Sequence, residues 1–525
     1  MTETAEVVVV GAGPAGLALA CALRLHGVAV RVVDQAEGPA TTSRANILHA
    51  RGVEVLDRLG ALGDLPGRSA PSLVLTTYIG GRAAIVTRFG DAGAGTPRPA
   101  LVLPQTDIEG QLRARLAELG TDVEWGTTLT GLVQDERGVT AVLDGGRELR
   151  AGWLAGCDGS HSTVRELAGI PFPGAPLTDQ WLLADVNARW DLARAGGHGW
   201  AHRDGPLFAM PMPGGEADDR WRLMAYLPGA KNERLTEPEI LAAFRRLVGE
   251  RAGLDGERIR DAIWASVFRV HRRLAGSYRR GRVLLAGDAA HIHSPMGGQG
   301  MVTGMGDAEN LAWKLALVIQ GRAGERLLDT YQDERRPLAT EVLRNTSATT
   351  RLQIGDGLLT RLLIAWVLAP LGNHPAVQRR ATQVASQLGV SYRRGPLAVR
   401  GSLLSPQRRL PRPGRRPLSA DRRQRSGDRV PDLPCAGADG DATRLHAELR
   451  GRWALLAAGD AAQACRSEAG TFLGERLVVL TPDGWPADEV WLVRPDAHLA
   501  WRGRPGSGGL TRWLRGALRH GRAQA

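Results

Sequence analysis

Apolar runs separated by glycine turns dominate the start of the chain and predict a parallel β-sheet. Residues 7–10 are four consecutive valines, a pattern typical of a strand that is buried on both faces. A glycine turn follows, and residues 14–26 then show the apolar period of a helix, which Gly27 ends. The next strand is predicted at residues 28–33. Strand, helix and strand together form one βαβ unit.

The rest of the chain divides into further regions. Residues 153–155 and 283–286 are predicted strands that would join the first sheet from distant positions. Alternating residues predict a hairpin and three strands of a mostly antiparallel sheet: 73–87, 181–189, 206–212 and 221–227. A helical pattern extends from residue 307 to about residue 387. Short strands are predicted in the last region: 453–458, 476–480 and 489–493.

These elements predict an α/β protein with a doubly wound parallel-sheet domain, an antiparallel-sheet domain and a small C-terminal domain. With 525 residues, 43% of them hydrophobic, the chain can fill several cores. The predicted limits are 1–71, 99–175 and 276–345 for the first domain, 72–98 and 176–275 for the second, 346–405 for a helical connection, 406–426 for an arginine-rich linker and 427–525 for the last domain.

Targeting signals are not expected. The start of the chain lacks the succession of charged, apolar and small-residue regions that marks a secretory signal. The longest apolar stretch, 358–371, contains Arg361 and Pro370 and is shorter than a membrane span, so a buried or interface helix is favoured over a membrane contact. We therefore expect a cytoplasmic protein without stable membrane insertion, as a monomer or a homodimer.

The positive charge is concentrated in one place. Of the formal net charge of +12, much lies between residues 406 and 429, where nine arginines face two aspartates. A solvated linker is favoured over a phosphate-binding patch, because no aromatic residue is interleaved there to stack bases. No nucleic-acid partner is expected. The four cysteines show neither a CxxC pair nor metal-type spacing, so neither a disulfide framework nor a metal site is expected.

A glycine motif between the first strand and helix predicts a dinucleotide site. Gly11, Gly13 and Gly16 form GxGxxG, and Asp34 ends the next strand. The glycines permit a tight turn and close approach to a pyrophosphate, the helix N-terminus favours its charge, and the acid accepts a hydrogen bond from a ribose hydroxyl. This motif alone does not separate FAD from NAD.

Two later motifs favour FAD. Leu284–Ala289 reads LLAGDA and precedes a glycine-rich helix start, so Asp288 can bond a second ribose or a ribityl hydroxyl while backbone N–H groups meet an anion such as reduced flavin. Cys157–Arg165, which includes Asp158, is a turn of small polar residues after the strand at 153–155. With all three motifs in this order, the chain resembles the aromatic hydroxylase family of FAD monooxygenases, which includes para-hydroxybenzoate hydroxylase and bacterial polyketide hydroxylases.

The resemblance implies which residues bind FAD. Gly11, Gly13 and Asp34 would hold the ADP half, Arg44 would lie near the phosphates, and Asp158 would also serve a transient nicotinamide site. The full implied set of cofactor-binding residues is Gly11, Gly13, Pro14, Ala15, Gly16, Asp34, Gln35, Arg44, Gln105, Asp158, Asp288, Pro295, Gly298, Gly300 and Met301. Many relatives have asparagine where this chain has Val302, so that side-chain contact to the flavin would be missing.

The resemblance also implies the reaction. NADPH or NADH would reduce FAD, O2 would add at flavin C4a, and the resulting hydroperoxide would hydroxylate an aromatic, polyketide-like small molecule. Because the cofactor carries this chemistry, no catalytic triad is expected, and the catalytic residues stay unknown. A base near the substrate hydroxyl would help, but none can be named. His291 and His293 are interpreted as structural loop residues.

Strand alternation suggests a broad, apolar substrate pocket, although plain core packing explains it as well. The candidates share the inward face of two neighbouring strands or lie at the flavin ring: Phe208, Met210, Met224, Tyr226 and Pro295. Residues 427–525 resemble the thioredoxin-like domain of these hydroxylases, but without CxxC a structural role is favoured over thiol exchange.

Rival functions remain open. Baeyer–Villiger oxygenation of a polyketide ketone or quinone would use the same motifs. A non-catalytic flavin-binding protein is a further alternative, in which the three intact cofactor motifs would be relics of a lost activity. A halogenase is disfavoured because no lysine precedes Lys231, and a disulfide reductase lacks its cysteine pair.

Overall fold

The structure is a computed structural model. It describes residues 3–43, 45–70, 74–88, 96–213, 219–227, 235–292, 298–354, 373–399, 424–437 and 439–518. The linker predicted at 406–426 and the apolar stretch at 358–371 lie almost wholly outside the described residues. Within the described part of the chain, no helix is long and apolar enough to cross a membrane.

The first sheet is built from segments that are far apart in the chain. Its strands are β1 Glu3–Val10, β2 Val30–Val33, β7 Val123–Glu124, β8 Leu129–Gln134, β9 Val139–Leu143, β10 Glu148–Gly156, β16 Arg279–Arg280 and β17 Val283–Leu285. The main path runs β16-β17-β10-β1-β2-β7, and β8 and β9 extend it from β10. The pairs β17-β10, β10-β1, β1-β2 and β2-β7 are parallel. Val7, Val8 and Val9 on central β1 are fully buried, as the valine run predicts.

Twelve helices are described, and most cover the sheets. They are α1 Pro14–Leu25, α2 Ala50–Leu59, α3 Leu65–Arg68, α4 Gln105–Glu118, α5 Thr163–Leu167, α6 Glu237–Ala252, α7 Gly300–Ile319, α8 Arg326–Ile354, α9 Pro375–Ser386, α10 Leu445–Glu448, α11 Asp460–Leu473 and α12 Gly509–Ala517. Helix α1 follows the glycine turn, and Gly27 at φ +74° ends it in the left-handed conformation that glycine adopts without strain.

The second sheet has eight strands and is mostly antiparallel. Its strands are β4 Val74–Ile79, β5 Arg82–Arg88, β11 Gly174–Ala188, β12 Gly197–Ala201, β13 Leu207–Pro211, β14 Arg220–Leu227, β15 Ile259–Leu274 and β18 His291–Ile292. The order is β18-β15-β11-β14-β13-β12-β4-β5, and β12 and β4 are parallel. No strand was predicted at 259–274, because apolar and charged residues there do not alternate cleanly, yet β15 pairs with β11 along most of its length.

One face of the second sheet is covered by a helix. Phe244 and Leu247 of α6 are buried against Leu182, Leu223 and other alternate residues of the sheet. The opposite face, which we call the open face, carries the residues between them. Because side chains alternate across a strand, the two faces have separate sets of residues.

The third sheet forms the C-terminal domain. Its strands are β19 Pro434–Ala436, β20 Ala442–Arg444, β21 Trp453–Leu456, β22 Leu477–Pro482, β23 Val490–Val493 and β24 Leu499–Gly503, in the order β20-β19-β22-β21-β23-β24. A two-stranded ladder, β3 Ile47–Leu48 with β6 Leu101–Val102, completes the strands. The predicted fold class, with parallel-sheet, antiparallel-sheet and thioredoxin-like parts, is confirmed. The domain limits stay predictions.

Candidate cofactor site and domain interface

The glycine loop at the end of β1 has no room for side chains at two of its three glycines. A β-carbon on Gly11, which has φ +104°, would lie 2.4 Å from the carbonyl oxygen of Cys157. One on Gly16 would lie 1.9 Å from the carbonyl oxygen of Gly11. At Gly13 nothing lies within 4 Å. The first and third glycines are therefore required by packing, whereas the second leaves open space at the start of α1.

The start of α1 fits a phosphate group. Gly13 is the N-cap and makes no side-chain cap bond, and Pro14 occupies the first turn. The first N–H groups of a helix lack partners within the helix and lie at the positive end of its dipole. Ala15 contacts the later loop at Gly287, where a β-carbon would come within 2.8 Å of the Ala15 β-carbon. The two glycine loops therefore pack directly against each other.

Asp34 stands at the end of β2 beside the glycine loop. One carboxylate oxygen accepts a hydrogen bond from the N–H of Ala12 at 2.6 Å, and the other accepts from Ala36 at 2.8 Å. The carboxylate is half-buried, and Gln35 beside it is exposed. Asp34 thus fixes the glycine loop, and its role at a ribose hydroxyl stays a prediction.

Gln105 begins α4 directly after Pro104. Its side-chain N–H donates to Glu109 Oε1 at 2.8 Å, and its backbone N–H donates to Ser43 Oγ at 2.7 Å. Glu109 is almost fully buried; burial raises its pKa, and the nearby Asp34 charge adds to this. Sequence reasoning missed Glu109, although its position one turn after Gln105 was a usable signal.

Asp158 is engaged within its own turn. Its carboxylate accepts from Ser162 Oγ at 2.5 Å and from the N–H of Val164 at 3.0 Å, so it holds the start of α5. Burial raises the pKa of this carboxyl. Arg165 then donates to the carbonyls of Ser160 and Ala289, which links this motif to the later one.

In the loop after β17, Asp288 is exposed and the backbone is fixed by a hydrogen bond to Asp307. Gly287 has φ +61°, and its N–H donates to Asp307 Oδ2 at 3.2 Å. The same oxygen bonds His291 Nε2 at 2.7 Å, and Arg335 bonds the other oxygen at 2.7 Å. Burial alone would raise the pKa of Asp307, but Arg335 and His291 outweigh it and lower the pKa. His291 therefore has a structural partner, as the sequence interpretation proposed.

The start of α7 faces the ladder of β3. Gly298 has φ +62°, and a β-carbon on it would lie 3.5 Å from Ile47. Helix α7 begins at Gly300 without a side-chain cap, and Met301 is half-buried. Val302 is buried and lies against the Gly52 position of α2, so it packs between helices. Arg44 and Pro295 lie outside the described residues, and their predicted roles stay predictions.

The open face of the second sheet is largely apolar and reaches the cofactor domain. The register pairs Phe208 with Met224 and Trp181 with Tyr226. Met210, one step further along β13, is half-buried. At the end of this face Met212 Sδ accepts from Asn46 Nδ2 at 3.6 Å. Since Asn46 adjoins β3, this end of the open face lies near the glycine-rich start of α7.

Helix α9 ties the edge of the second sheet to the start of α7. Thr382 Oγ1 donates to the carbonyl of Arg88 on β5 at 3.1 Å. Gln299 donates to the carbonyl of Val384 at 3.0 Å. Gln387, which is buried at φ +57°, donates to Thr303 Oγ1 at 2.9 Å. These bonds fix the sheet relative to the loop that precedes α7.

A set of buried charges joins the cofactor domain to the C-terminal domain. We call it the interdomain charge cluster; its members are Glu54, Arg58, Glu309, Lys314, Glu334, Arg429, Arg494 and Asp496. Glu334 accepts from Lys314 Nζ at 2.8 Å and from both terminal nitrogens of Arg494 at 2.8 and 3.0 Å. These cations outweigh the effect of burial and lower the pKa of Glu334 to about 2. Burial lowers the pKa of Lys314 to about 8.

The C-terminal domain has no redox apparatus in the described residues. Cys435 and Cys465 are both free and buried. Burial raises the pKa of Cys435 to about 12, which disfavours the reactive thiolate. Trp453 of this domain packs edge-on against Trp313 of α7 at 5.2 Å between ring centroids. In the described part of the chain, no group of three His, Cys, Asp or Glu side chains could hold a metal ion.

A parallel sheet with a glycine loop, an acid at the next strand end and a second glycine loop packed on α1 defines a dinucleotide-binding flavoprotein. Comparison with known proteins agrees. Residues 4–346 match a family model described as FAD binding domain, and residues 423–522 match one described as aromatic-ring hydroxylase, C-terminal. The chain belongs to this family of FAD-dependent aromatic-ring monooxygenases.

Individual relatives cover nearly the whole chain. A 12-dehydrotetracycline 5-monooxygenase/anhydrotetracycline 6-monooxygenase of Streptomyces rimosus is 36% identical over 97% of this chain and 98% of its own. Pentachlorophenol 4-monooxygenase of Sphingobium chlorophenolicum is 32% identical over 94% and 86%. The solved ternary complex of aklavinone-11 hydroxylase with FAD and aklavinone superposes with a TM-score of 0.77 at 27% identity over 99% and 100%. The protein is thus an FAD-dependent monooxygenase, and NAD(P)H is its reductant.

Proposed function

We propose that the protein hydroxylates a flat, polycyclic phenol of the polyketide type. The observation that carries this is the open face, where broad apolar side chains such as Phe208 and Met224 lie on the sheet that reaches Asn46 beside the cofactor domain. An apolar surface of this kind suits a fused-ring ligand fixed by few polar groups. Two relatives, a 6-methylpretetramide 4-monooxygenase and the 12-dehydrotetracycline 5-monooxygenase/anhydrotetracycline 6-monooxygenase, support the same class.

The predicted cofactor residues fit FAD. The open space at Gly13, the uncapped start of α1 and the exposed Asp288 offer a cradle for a pyrophosphate and a carboxylate for a polyol chain. When bound, FAD supplies hydride acceptance and activation of O2. The chain's own task is to bind, orient and exclude water. We propose that Asp34 and Gln105 bind the ADP side, and that Gly298, Gly300 and the N–H groups that follow face the ring. Cytoplasmic location and the monomeric or homodimeric state stay predictions.

The test is a turnover assay on the FAD-reconstituted full-length protein. Oxidation of NADH and of NADPH is measured with and without polycyclic phenols, and products are identified by mass spectrometry. We expect faster NAD(P)H oxidation with substrate and a product that gains one oxygen atom on an intact ring. A ring-expanded or ring-opened product would instead support Baeyer–Villiger oxygenation. Failure to bind FAD or to consume NAD(P)H with any phenol would refute the proposal.

A further inference from the structure

The open face carries one buried ion pair within its apolar surface. Arg222 on β14 donates to both oxygens of Asp185 on β11, each at 2.7 Å, and Trp264 on β15 donates its indole N–H to Asp185 Oδ2 at 2.9 Å. The three residues sit directly across neighbouring strands, and the Asp185 and Arg222 side chains are 10% and 3% exposed. Asp185 is thereby held by two donors from neighbouring strands.

The same face also carries a polar group that, unlike the ion pair, has no hydrogen-bond partner. The indole nitrogen of Trp181 is fully buried and makes no hydrogen bond. The neighbours of Trp181 are Tyr226 and Phe268, at ring-centroid distances of 5.5 and 6.4 Å. A buried donor left unpaired destabilises the protein. A ligand with an acceptor at this position would complete the bonding of the indole.

The position of these groups points to the substrate. Buried ion pairs are rarely more stabilising than apolar residues of the same size, so stability alone does not account for this one. Arg222 pairs in register with Met210. Met210 lies two residues before Met212, which contacts Asn46 at the end of the same face. Strand β12 offers Gly197 opposite Met210, where a β-carbon would be 2.1 Å from the Met210 sulfur. The Met210 thioether therefore packs over the backbone of Gly197. Because a methionine side chain is flexible, it can move aside for a flat molecule.

We propose that the substrate is anchored at two points on the open face, with Asp185 accepting a hydrogen bond from a phenolic hydroxyl and Trp181 donating to an oxygen at the opposite end. Residues four apart on a strand are separated by about 13 Å, a span that suits three or four linearly fused rings between the two oxygens. Arg222 and Trp264 orient the carboxylate. This inference rests on the proposed function and names the oxygen pattern that its substrate must carry.

The test uses the FAD-loaded protein and four related probes. They are 2,6-dihydroxyanthraquinone, its monomethyl ether, its dimethyl ether and 2-hydroxyanthraquinone, and binding is measured by calorimetry. We expect the native protein to prefer the monomethyl over the dimethyl ether, because only the former can donate to Asp185. It should also prefer the dihydroxy compound over 2-hydroxyanthraquinone, which lacks the far oxygen. For each preference, the two dissociation constants should differ by about threefold to tenfold or more.

Two variants assign each preference to its anchor. Trp181→Phe removes only the indole donor and should abolish the preference for the far oxygen, while the ether discrimination remains. Asp185→Leu combined with Arg222→Met removes both charges together, which avoids leaving one buried and unpaired, and should abolish the ether discrimination. The matched control is Trp190→Phe. Its indole donates to the carbonyl of Asp255 away from the open face, so neither preference should change.

Opposite results would overturn the inference. If Trp181→Phe weakens all four probes equally, the indole packs but does not donate. If the double variant still discriminates between the ethers, the ion pair is structural. A native protein that binds and oxidises the probes without preference would refute the two anchors and leave the proposed function standing. If the native protein neither binds nor oxidises any probe, both fail.

Discussion

Two polar regions of the molecule are built on opposite principles. In the glycine cleft, by which we mean the loops at Gly11–Gly16 and Gly287–Asp288, backbone groups and carboxylates border open space. In the interdomain charge cluster, the charges are buried and bonded reciprocally, as Glu334 is to Lys314 and Arg494. The first N–H groups of α1 in the cleft have no partner within the helix, whereas the charges that join the domains are bonded to one another. Mutations should therefore separate ligand affinity from stability.

The largest effect is expected at the cluster. Glu334→Ala leaves Lys314 and Arg494 buried without their shared partner, which should cost about 3–5 kcal/mol of unfolding free energy. Urea denaturation measures this loss. The control is Glu325→Ala, because Glu325 is about half exposed and pairs with the partly exposed Arg279 and Arg282, so the loss should stay below about 1 kcal/mol. Equal losses would contradict the comparison.

In the cleft, Gly11→Ala should reduce FAD affinity by about a hundredfold, since the methyl group meets the Cys157 carbonyl and φ is +104°. Gly13→Ala offers the contrast: its space is open, so the FAD-free protein should unfold at the same temperature while FAD binds more weakly. Fluorescence titration of FAD and thermal unfolding measure the two effects. A Gly13→Ala protein that binds FAD normally would argue against a pyrophosphate at α1.

A smaller effect is expected for Asp288→Asn. Loss of the charge should weaken FAD binding by about tenfold through one charge-assisted hydrogen bond. Asp329→Asn, at an exposed site on α8, serves as the control and should leave FAD affinity unchanged. Unchanged affinity in Asp288→Asn would remove this residue from the cofactor site.

The smallest effect on unfolding free energy at neutral pH is expected from two histidines that are buried where the cofactor domain meets the C-terminal domain. Burial lowers the pKa of His446 to about 3 and that of His498 to about 4. Between pH 6.5 and 4 the unfolded chain therefore binds more protons, so unfolding free energy should fall as the solution is acidified through this range. His498→Asn should flatten that decline in urea titrations. An unchanged pH profile would show that His498 does not contribute to it.

The sequence predicted the fold where local pattern and tertiary position agree. The valine run of β1, the glycine turn and the strand ending at Asp34 follow from period and turn chemistry. Strand β15 could not be predicted in this way, because its two edges pair with β11 and β18 and this tertiary contact overrides an irregular pattern. Ion pairs such as Asp185–Arg222 join residues distant in the chain, which no single-sequence spacing reveals.

The same limit applies to the site. The motif residues Gly11, Gly16 and Asp34 could be named because each motif is short and local. Glu109, by contrast, matters through burial beside Gln105 and Asp34, a property that only the folded chain defines. The interdomain charge cluster was missed for the same reason, since its members look like ordinary surface charges in the sequence.

The order of strands in the first sheet also has a consequence for biosynthesis. Strand β1 leaves the ribosome first, but β10 and then β17 must follow before the sheet is complete, and five strands of the second sheet, β11 to β15, are made between those two. Pairings this distant are slow to form, and unpaired strand edges invite aggregation while they wait. A nascent chain that stops before residue 285 would expose the edge of β10. Protection by chaperones during this interval should therefore govern how much active enzyme a cell obtains.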